Sequence, residues 1–364
     1  MTHTASIAVA TSSISATCER SASDLHVVGF GHFVSTADYA FGAGQHFNEI
    51  RFDTGRAGVR TLFGRRGGLV LTAEAVRSAG PDSLFGVAGD SLIVRVRHAF
   101  GFVRIEPGYG VVRVEAGLLP DPWLRTLEKH ETLGDYIPLF SEQANFFTAG
   151  DLGASAEYAI LSNRLHIRLA ISNGEGSNQT ERNRRKDVVG LVSGEVLRLQ
   201  VLHDIARLGL HAGYRDGTTG AGNAANRRAF SAVTVEHPHF GLRVEHVDAF
   251  GYEARPEIRA RAFGALLYAQ TKPTWLGAWT RLNVVDPDLE TSYDRHTEFE
   301  GGVFAGLEQL DPVLQLRLAI GYRQIFLGRN AAPVPGSPET SELKHIFVRV
   351  TGAFVTGPGD TEDL

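Results

Sequence analysis

One cysteine, Cys18, stands alone among 364 residues, so neither an intramolecular disulfide framework nor a cysteine-rich zinc site can form. Lysine is almost as scarce. It occurs only at Lys129, Lys186, Lys272 and Lys344, which leaves nearly all positive charge to arginine. No run approaches the roughly 18 consecutive apolar residues of a membrane-spanning helix. Prolines number 14 against 41 glycines, a balance that suits many tight turns and bulges rather than long helices. A net charge of −5 gives no general affinity for nucleic acid. The chain has no G-x-S-x-G elbow, phosphate loop or dinucleotide glycine fingerprint, and Asp24, His26 and a serine make a triad only on paper. No enzyme and no cofactor is expected. No segment repeats at a period of about 20–50 residues, which argues against a propeller or solenoid. Residues 1–23 lack the basic start and apolar core of a secretory signal, so a signal that has been removed or replaced is expected.

What is present is period-two alternation, the mark of strands with one apolar and one polar face. The pattern centres on residues 91–172. Leu92-Ile-Val-Arg-Val-Arg-His-Ala and Val111-Val-Arg-Val-Glu-Ala-Gly-Leu flank the turn at Glu106-Pro-Gly-Tyr. A non-alternating excursion, 119–150, carries Pro120, Pro122, Trp123, Phe146 and Phe147, and alternation resumes through 152–160 and 165–172. The same rhythm of strand, short turn, strand and long loop runs to the C-terminus. Counted from His46, with one break at Asp53-Thr-Gly-Arg, it gives about sixteen strands; residues 26–34 as a further strand would allow eighteen. The expected fold is all-β: a transmembrane antiparallel up-and-down β-barrel with short periplasmic turns and long extracellular loops. The expected division is an N-terminal segment at 1–44, a barrel at 45–354 and a tail at 355–364. The excursion either folds inward and narrows a channel or caps the barrel from outside, with helical spacing only in 123–136.

The two faces are legible in 314–323, where Leu314, Leu316, Leu318, Ile320 and Tyr322 oppose Gln315, Arg317, Ala319, Gly321 and Arg323. Aliphatic residues outward and polar residues inward fit a barrel with a wet lumen. A soluble β-sandwich would also alternate, but with strands nearer 5–6 residues than the 9–11 that cross a bilayer. Tyr109, Tyr136, Tyr214, Tyr252, Tyr268, Trp275 and Phe354, near strand ends, are expected in interfacial girdles. The pore-lining candidates are Arg95, Arg97, Arg113, Arg168, Arg207, Arg243, Arg259, Arg261, Arg317, Arg323 and Arg349, with Glu115, Glu157 and Glu245 on the same face. Guanidinium offers a fixed fork of donors to anions, and a lumen lined with it attracts them. The alternative is that cross-strand Arg–Glu pairs hold the wall in register. Arg259 and Arg261, with no acid between them, are the expected unpaired lumen charge. Glu236, His237, His239 and His246 contain metal-ligand types, yet alternation sends neighbours to opposite faces, so no metal is expected.

At Ala116-Gly-Leu-Leu-Pro-Asp-Pro-Trp, Asp151-Leu-Gly-Ala and Ile171-Ser-Asn-Gly-Glu-Gly the chain resembles the phosphate-selective porins of Gram-negative outer membranes. The resemblance implies a sixteen-stranded barrel, often a homotrimer, set among membrane lipid and lipopolysaccharide and passing small anions or other hydrophilic solutes passively. The family's name does not assign the solute. The chain departs from the pattern in its first residues and in the acidic stretch after Phe354. Its alternative is a soluble or surface β-rich ligand-binding protein or adhesin.

Overall fold

The computed structural model describes residues 25–42, 45–64, 66–78, 91–130, 139–176, 185–219, 224–252, 255–271, 276–306, 314–328 and 342–356. Cys18, Tyr136, Trp275, the expected signal region and residues 357–364 of the tail lie outside them.

The chain runs through β1 (Leu25–Gly42), β2 (Gln45–Phe63), β3 (Gly67–Ser78), β4 (Ser91–Ile105) and β5 (Gly110–Pro120). Two short helices follow, α1 (Pro122–Glu128) and α2 (Phe140–Gln143). Then come β6 (Gly150–Ile160), β7 (Leu165–Ser172), β8 (Asp187–Val201) and β9 (Asp204–Asp216), and a small ribbon of β10 (Thr218–Thr219) and β11 (Ala224–Ala225). The chain finishes with β12 (Arg227–His237), β13 (Phe240–Phe250), β14 (Arg259–Gln270), β15 (Leu276–Asp286), β16 (His296–Gly306), β17 (Leu314–Leu327) and β18 (Glu342–Thr356). All strands except the ribbon form one closed antiparallel barrel of sixteen, each paired with its sequence neighbour and β1 with β18. Closure satisfies every backbone ladder and leaves no edge, the condition under which strands can cross a membrane.

The expected count of sixteen is met, but its components differ. Residues 25–42, expected to lie in a segment before the barrel, are its first wall strand, with Gly29 to Phe41 registered against Thr356 to Lys344. The wall thus begins at Leu25 and ends at Thr356. The break expected at Asp53 is no turn. It is a bulge within β2, opposite Val34 and Ser35, where Asp53 accepts bonds from Arg51 Nε (2.6 Å) and the Thr36 hydroxyl. One extra residue, not a reversal, accounts for the turn-like composition.

Apart from the two-residue step between β1 and β2, connections alternate in length. The segments 64–66, 106–109, 161–164, 202–203, 238–239, 271–275 and 307–313 join strands at one rim, where both ends of the wall also lie. The long segments, 121–149 above all, join them at the other. At Leu202 and His203 both φ angles are positive (49° and 71°), the turn geometry whose twist matches the flanking strands.

Burial separates the faces. Val94, Leu71, Leu169, Val303 and Ile320 point outward and are exposed, whereas Glu74, Arg97, Glu245, Arg281 and Glu300 point inward and are buried. A contiguous aliphatic outer surface of this kind exceeds what soluble monomers carry. Of the expected girdle residues, Tyr109, Tyr214 and Phe354 are exposed, while Tyr252 and Tyr268 face inward and are buried.

Candidate functional site

The lumen is not empty, because the 121–149 segment folds into it. Asp121 starts the descent. Its Oδ1 accepts from Trp123 N (2.9 Å) and Leu124 N (3.3 Å), capping α1, and Pro122 occupies the first turn where no backbone donor is needed. The other Asp121 oxygen takes Arg215 of β9. One face of α1 carries Trp123, Leu124 and Leu127, which pack with Leu139, Phe140, Phe146 and Phe147 against inward residues of β8 and β12–β15, including Leu191, Phe230, Val247, Ala260, Ala262 and Val285. The Trp123 ring lies 4.7 Å from that of Phe230. Where α2 crosses β14, Gly264 makes room: a Cβ there would sit 2.6 Å from Phe140 Cδ1. The loop and the small or apolar inward residues of these strands therefore form a dry core along that arc of the wall.

Polar anchors fix the loop from several sides. Arg125 Nη1 reaches both oxygens of Glu115 (2.8 and 2.7 Å). Arg97 Nη2 donates to Glu142 (3.1 Å), and Arg281 Nη1 to Gln143 (2.8 Å). The Tyr252 hydroxyl donates to the Ala144 carbonyl (2.7 Å). Arg97 itself is the extra residue of a bulge between β3 and β4, which turns both Arg97 and His98 inward.

The wall facing the loop holds more guanidinium than carboxylate. Arg56, Arg95 and Arg97 all converge on Glu74 (2.9, 2.7 and 2.6 Å), and Arg113 and Arg125 share Glu115. A cavity of about 340 Å³ lies here, lined by Arg56, Arg60, Arg97, Arg113 and Arg125 with Glu128. Further round, Arg323, Arg51 and His345 meet on Asp38, and Arg281 bridges Glu298 and Glu300.

Of the arginines singled out in the sequence, Arg95, Arg97, Arg113, Arg168, Arg243, Arg317, Arg323 and Arg349 lie on the inner face. Arg207, registered with Glu236, faces inward at the short-turn rim and is largely exposed, 3.9 Å from Glu195. Arg259 and Arg261 are a correction, for both point outward. In β14 the inward positions are Ala260, Ala262 and Gly264, small because the loop packs on them, so the arginines take the outer face at the long-loop rim. Arg261 pairs there with Asp248 (2.7 Å), which also meets His246. That places His246 on the outside, away from Glu236, which binds His130, and from His237, which meets the Val201 carbonyl. Among the described residues no cluster suited to a metal is found.

Arg56, Arg60, Arg125 and Arg281 were not singled out. Arg281 was within reach, since Trp279, Arg281, Asn283 and Val285 alternate inward in β15. Arg56 and Arg60 were obscured by the break placed at Asp53, and Arg125 belongs to the loop, where alternation says nothing.

Lys129, just past α1, is the loop's own titratable cation. Its side chain touches lumen water although the barrel encloses it. Enclosure, then repulsion from Arg125, Arg168 and Arg113, lowers the pKa of the ammonium below the usual lysine range. Lumen water weakens the first cause, so the expectation rests chiefly on the three guanidiniums. Protonated, Lys129 adds a positive charge to the lumen, and deprotonated it adds none. Any preference of the lumen for anions should therefore fall as pH rises through the range below the ordinary lysine value of about 10.4, where an unperturbed lysine stays charged. A Lys129→Met variant should lack this part of the fall, and an identical pH profile in both proteins would refute the assignment.

No protein-family model matches the sequence, and no curated protein is significantly similar to it. Solved structures are. OmpF of Salmonella typhi superposes with a TM-score of 0.59 at 12% identity, covering 91% of this chain and 97% of that one. The fold is a porin barrel. An anion-selective porin from Comamonas acidovorans gives 0.58 at 13% identity, covering 91% of this chain and 100% of that one. The trimer form of OmpT, an outer membrane protein of Vibrio cholerae, gives 0.56 at 13%, covering 91% and 99%. The similarity is one of architecture, since identity is this low.

Proposed function

We propose that this chain is a Gram-negative outer-membrane porin that lets small hydrophilic solutes diffuse, without catalysis, and that it weakly prefers anions. The observation that carries the reading is the lumen itself: a folded-in loop narrows the barrel, and there Arg56, Arg95, Arg97 and Arg113 of the wall and Arg125 of the loop meet three carboxylates, Glu74, Glu115 and Glu142. Preorganised guanidiniums in excess over acids raise the local concentration of anions. A phosphate-selective channel, as the sequence resemblance implies, and a homotrimer, as in one form of OmpT, are the finer forms of this proposal. The long loops would then face the exterior, with lipopolysaccharide against the outer leaflet. Conductance of the purified protein in a planar bilayer under a salt gradient tests it. Stepwise channels with an anion-selective reversal potential are expected, and protein that stays folded without detergent and forms no channels would overturn the reading.

The outer surface gives an independent check. Ile320 is about half exposed at mid-strand in β17. Ile320→Arg should cost about 2–4 kcal/mol of stability in lipid if this face meets the hydrocarbon. Chemical unfolding in liposomes measures this, and a change within about 0.5 kcal/mol, the usual effect of a surface substitution in water, would place the face elsewhere.

A further inference from the structure

A second cavity of about 340 Å³ lies in the long-loop half of the barrel, between the root of the inward loop and the wall from β5 to β9 and β12. It shares only Pro120 with the cavity opposite the loop. Its carboxylates are committed to protein donors. Glu115 holds Arg125 and the Ser155 hydroxyl, Asp121 caps α1 and takes Arg215, and Asp151 accepts from the backbone of Leu152 and Gly174. Glu175 is partnered as well.

The guanidiniums are not so balanced. Arg215 and Arg228 stand directly opposite each other in the β9–β12 register, both inward and both more than nine-tenths buried. Arg215 has Asp121 on Nη2 and Asp187 at 4.0 Å from its Nε, which is buried and makes no hydrogen bond among the described residues. Arg228 has no carboxylate within ion-pair distance among the described residues. Its Nε donates to the Phe146 carbonyl (3.3 Å) and its Nη1 to the carbonyls of Arg227 (2.9 Å) and Phe250 (3.1 Å). Like charges directly across a ladder repel, and a buried cation with only neutral partners is costly unless a counter-ion joins it. The remainder of the lining includes Ala170, Val189 and Phe146, a hydrocarbon surface.

We propose that this cavity binds a small organic monocarboxylate, its carboxylate between Arg228 and Arg215 and its hydrocarbon against Ala170, Val189 and Phe146. The committed carboxylates around the cavity disfavour a dianion, and the apolar wall favours an organic body over a bare halide. The site goes beyond the channel reading and does not require conduction.

Isothermal titration of the full chain in detergent tests it with sodium benzoate, neutral benzamide and inorganic phosphate as probes. Saturable binding of benzoate at one site per chain is expected, with no binding of benzamide and weaker binding of phosphate. Equal binding of benzamide would reduce the site to an apolar hole, and equal binding of phosphate to a general anion site; either result, or no heat at all, overturns the proposal. Arg228→Gln should bind benzoate about ten-fold more weakly or worse, as loss of a charged hydrogen-bond donor implies. Because Arg228 also holds the loop at Phe146, Ala170→Phe serves as the second variant: it fills the cavity and leaves every guanidinium in place. Ala170→Phe should lose benzoate binding at parental conductance, and unchanged binding would count against the site. A parent protein that conducts but ignores benzoate sinks this proposal alone, whereas one that binds benzoate and never conducts sinks the channel.

Discussion

Replacing Trp123 with alanine is expected to free the inward loop while leaving the barrel standing. Trp123 is fully buried, wedged against Phe230 and Phe147, and truncating a buried tryptophan costs about 3–5 kcal/mol. The cost falls on the loop's attachment, because the wall does not depend on it: β5 pairs with β6 directly, as far as Pro120 against Gly150. A penalty of that size moves the docked-to-released equilibrium by about two to four powers of ten. Single-channel conductance should rise and become noisier, and trypsin should cut at Arg125 or Lys129, while heat-modifiable migration of the barrel is retained. Gly264→Leu attacks the same seat from the wall side, since any side chain there collides with Phe140. Parental conductance and protease resistance in both variants would mean that the polar anchors at Glu115, Arg97 and Arg281 hold the loop unaided.

The second large effect is electrical. Arg56, Arg95 and Arg97 converge on Glu74, and Arg97 also holds Glu142 of the loop, so three guanidiniums meet two carboxylates on this arc. Arg56→Gln with Arg95→Gln reverses that balance and leaves Arg97 on Glu74 and Glu142, so no buried acid is orphaned. A monovalent ion passing about 5 Å from one such charge in water gains about 0.5 kcal/mol after screening at 0.1 M salt. Each lost charge should thus halve the local anion concentration, roughly, and raise that of cations in proportion. The reversal potential of the double variant should shift markedly toward the cation side, and more so at low salt. An unmoved reversal potential would show that these arginines brace the wall and do not select ions.

Much of the architecture was legible because a barrel in contact with an apolar outer phase forces alternation, and β17 and β18 follow it except where Leu343 and Phe347 face inward. The strand total came out right through two opposite errors, a first strand left out at 25–42 and a second split at Asp53. Both come from the same physics, since a bulge and a turn use similar residues, and only the partner strand reveals which it is. Arg259 and Arg261 were misplaced for a different reason. Polar-inward is a rule for a wet lumen, and the inner face of β14 is dry because Phe140 and its neighbours lie on it. Nothing local to Arg-Ala-Arg-Ala announces that. The loop's inward course was open for the same reason, its binding partners being small inward residues spread over β8 and β12–β15. The outward turn of His246 follows from plain alternation.

The seam between β1 and β18 has a consequence for assembly. Gly29 meets Thr356 and Phe41 meets Lys344, so the contact that completes the ring joins the parts of the wall farthest apart in sequence. Every other ladder can form between neighbours as they become available, but this one waits for all of them. Until it forms, β1 and β18 are two long unpaired edges, the kind of surface that captures other chains. The last step of folding is therefore a choice between self-pairing and cross-pairing, and dilution, or a factor that shields one edge, decides it in favour of the closed ring.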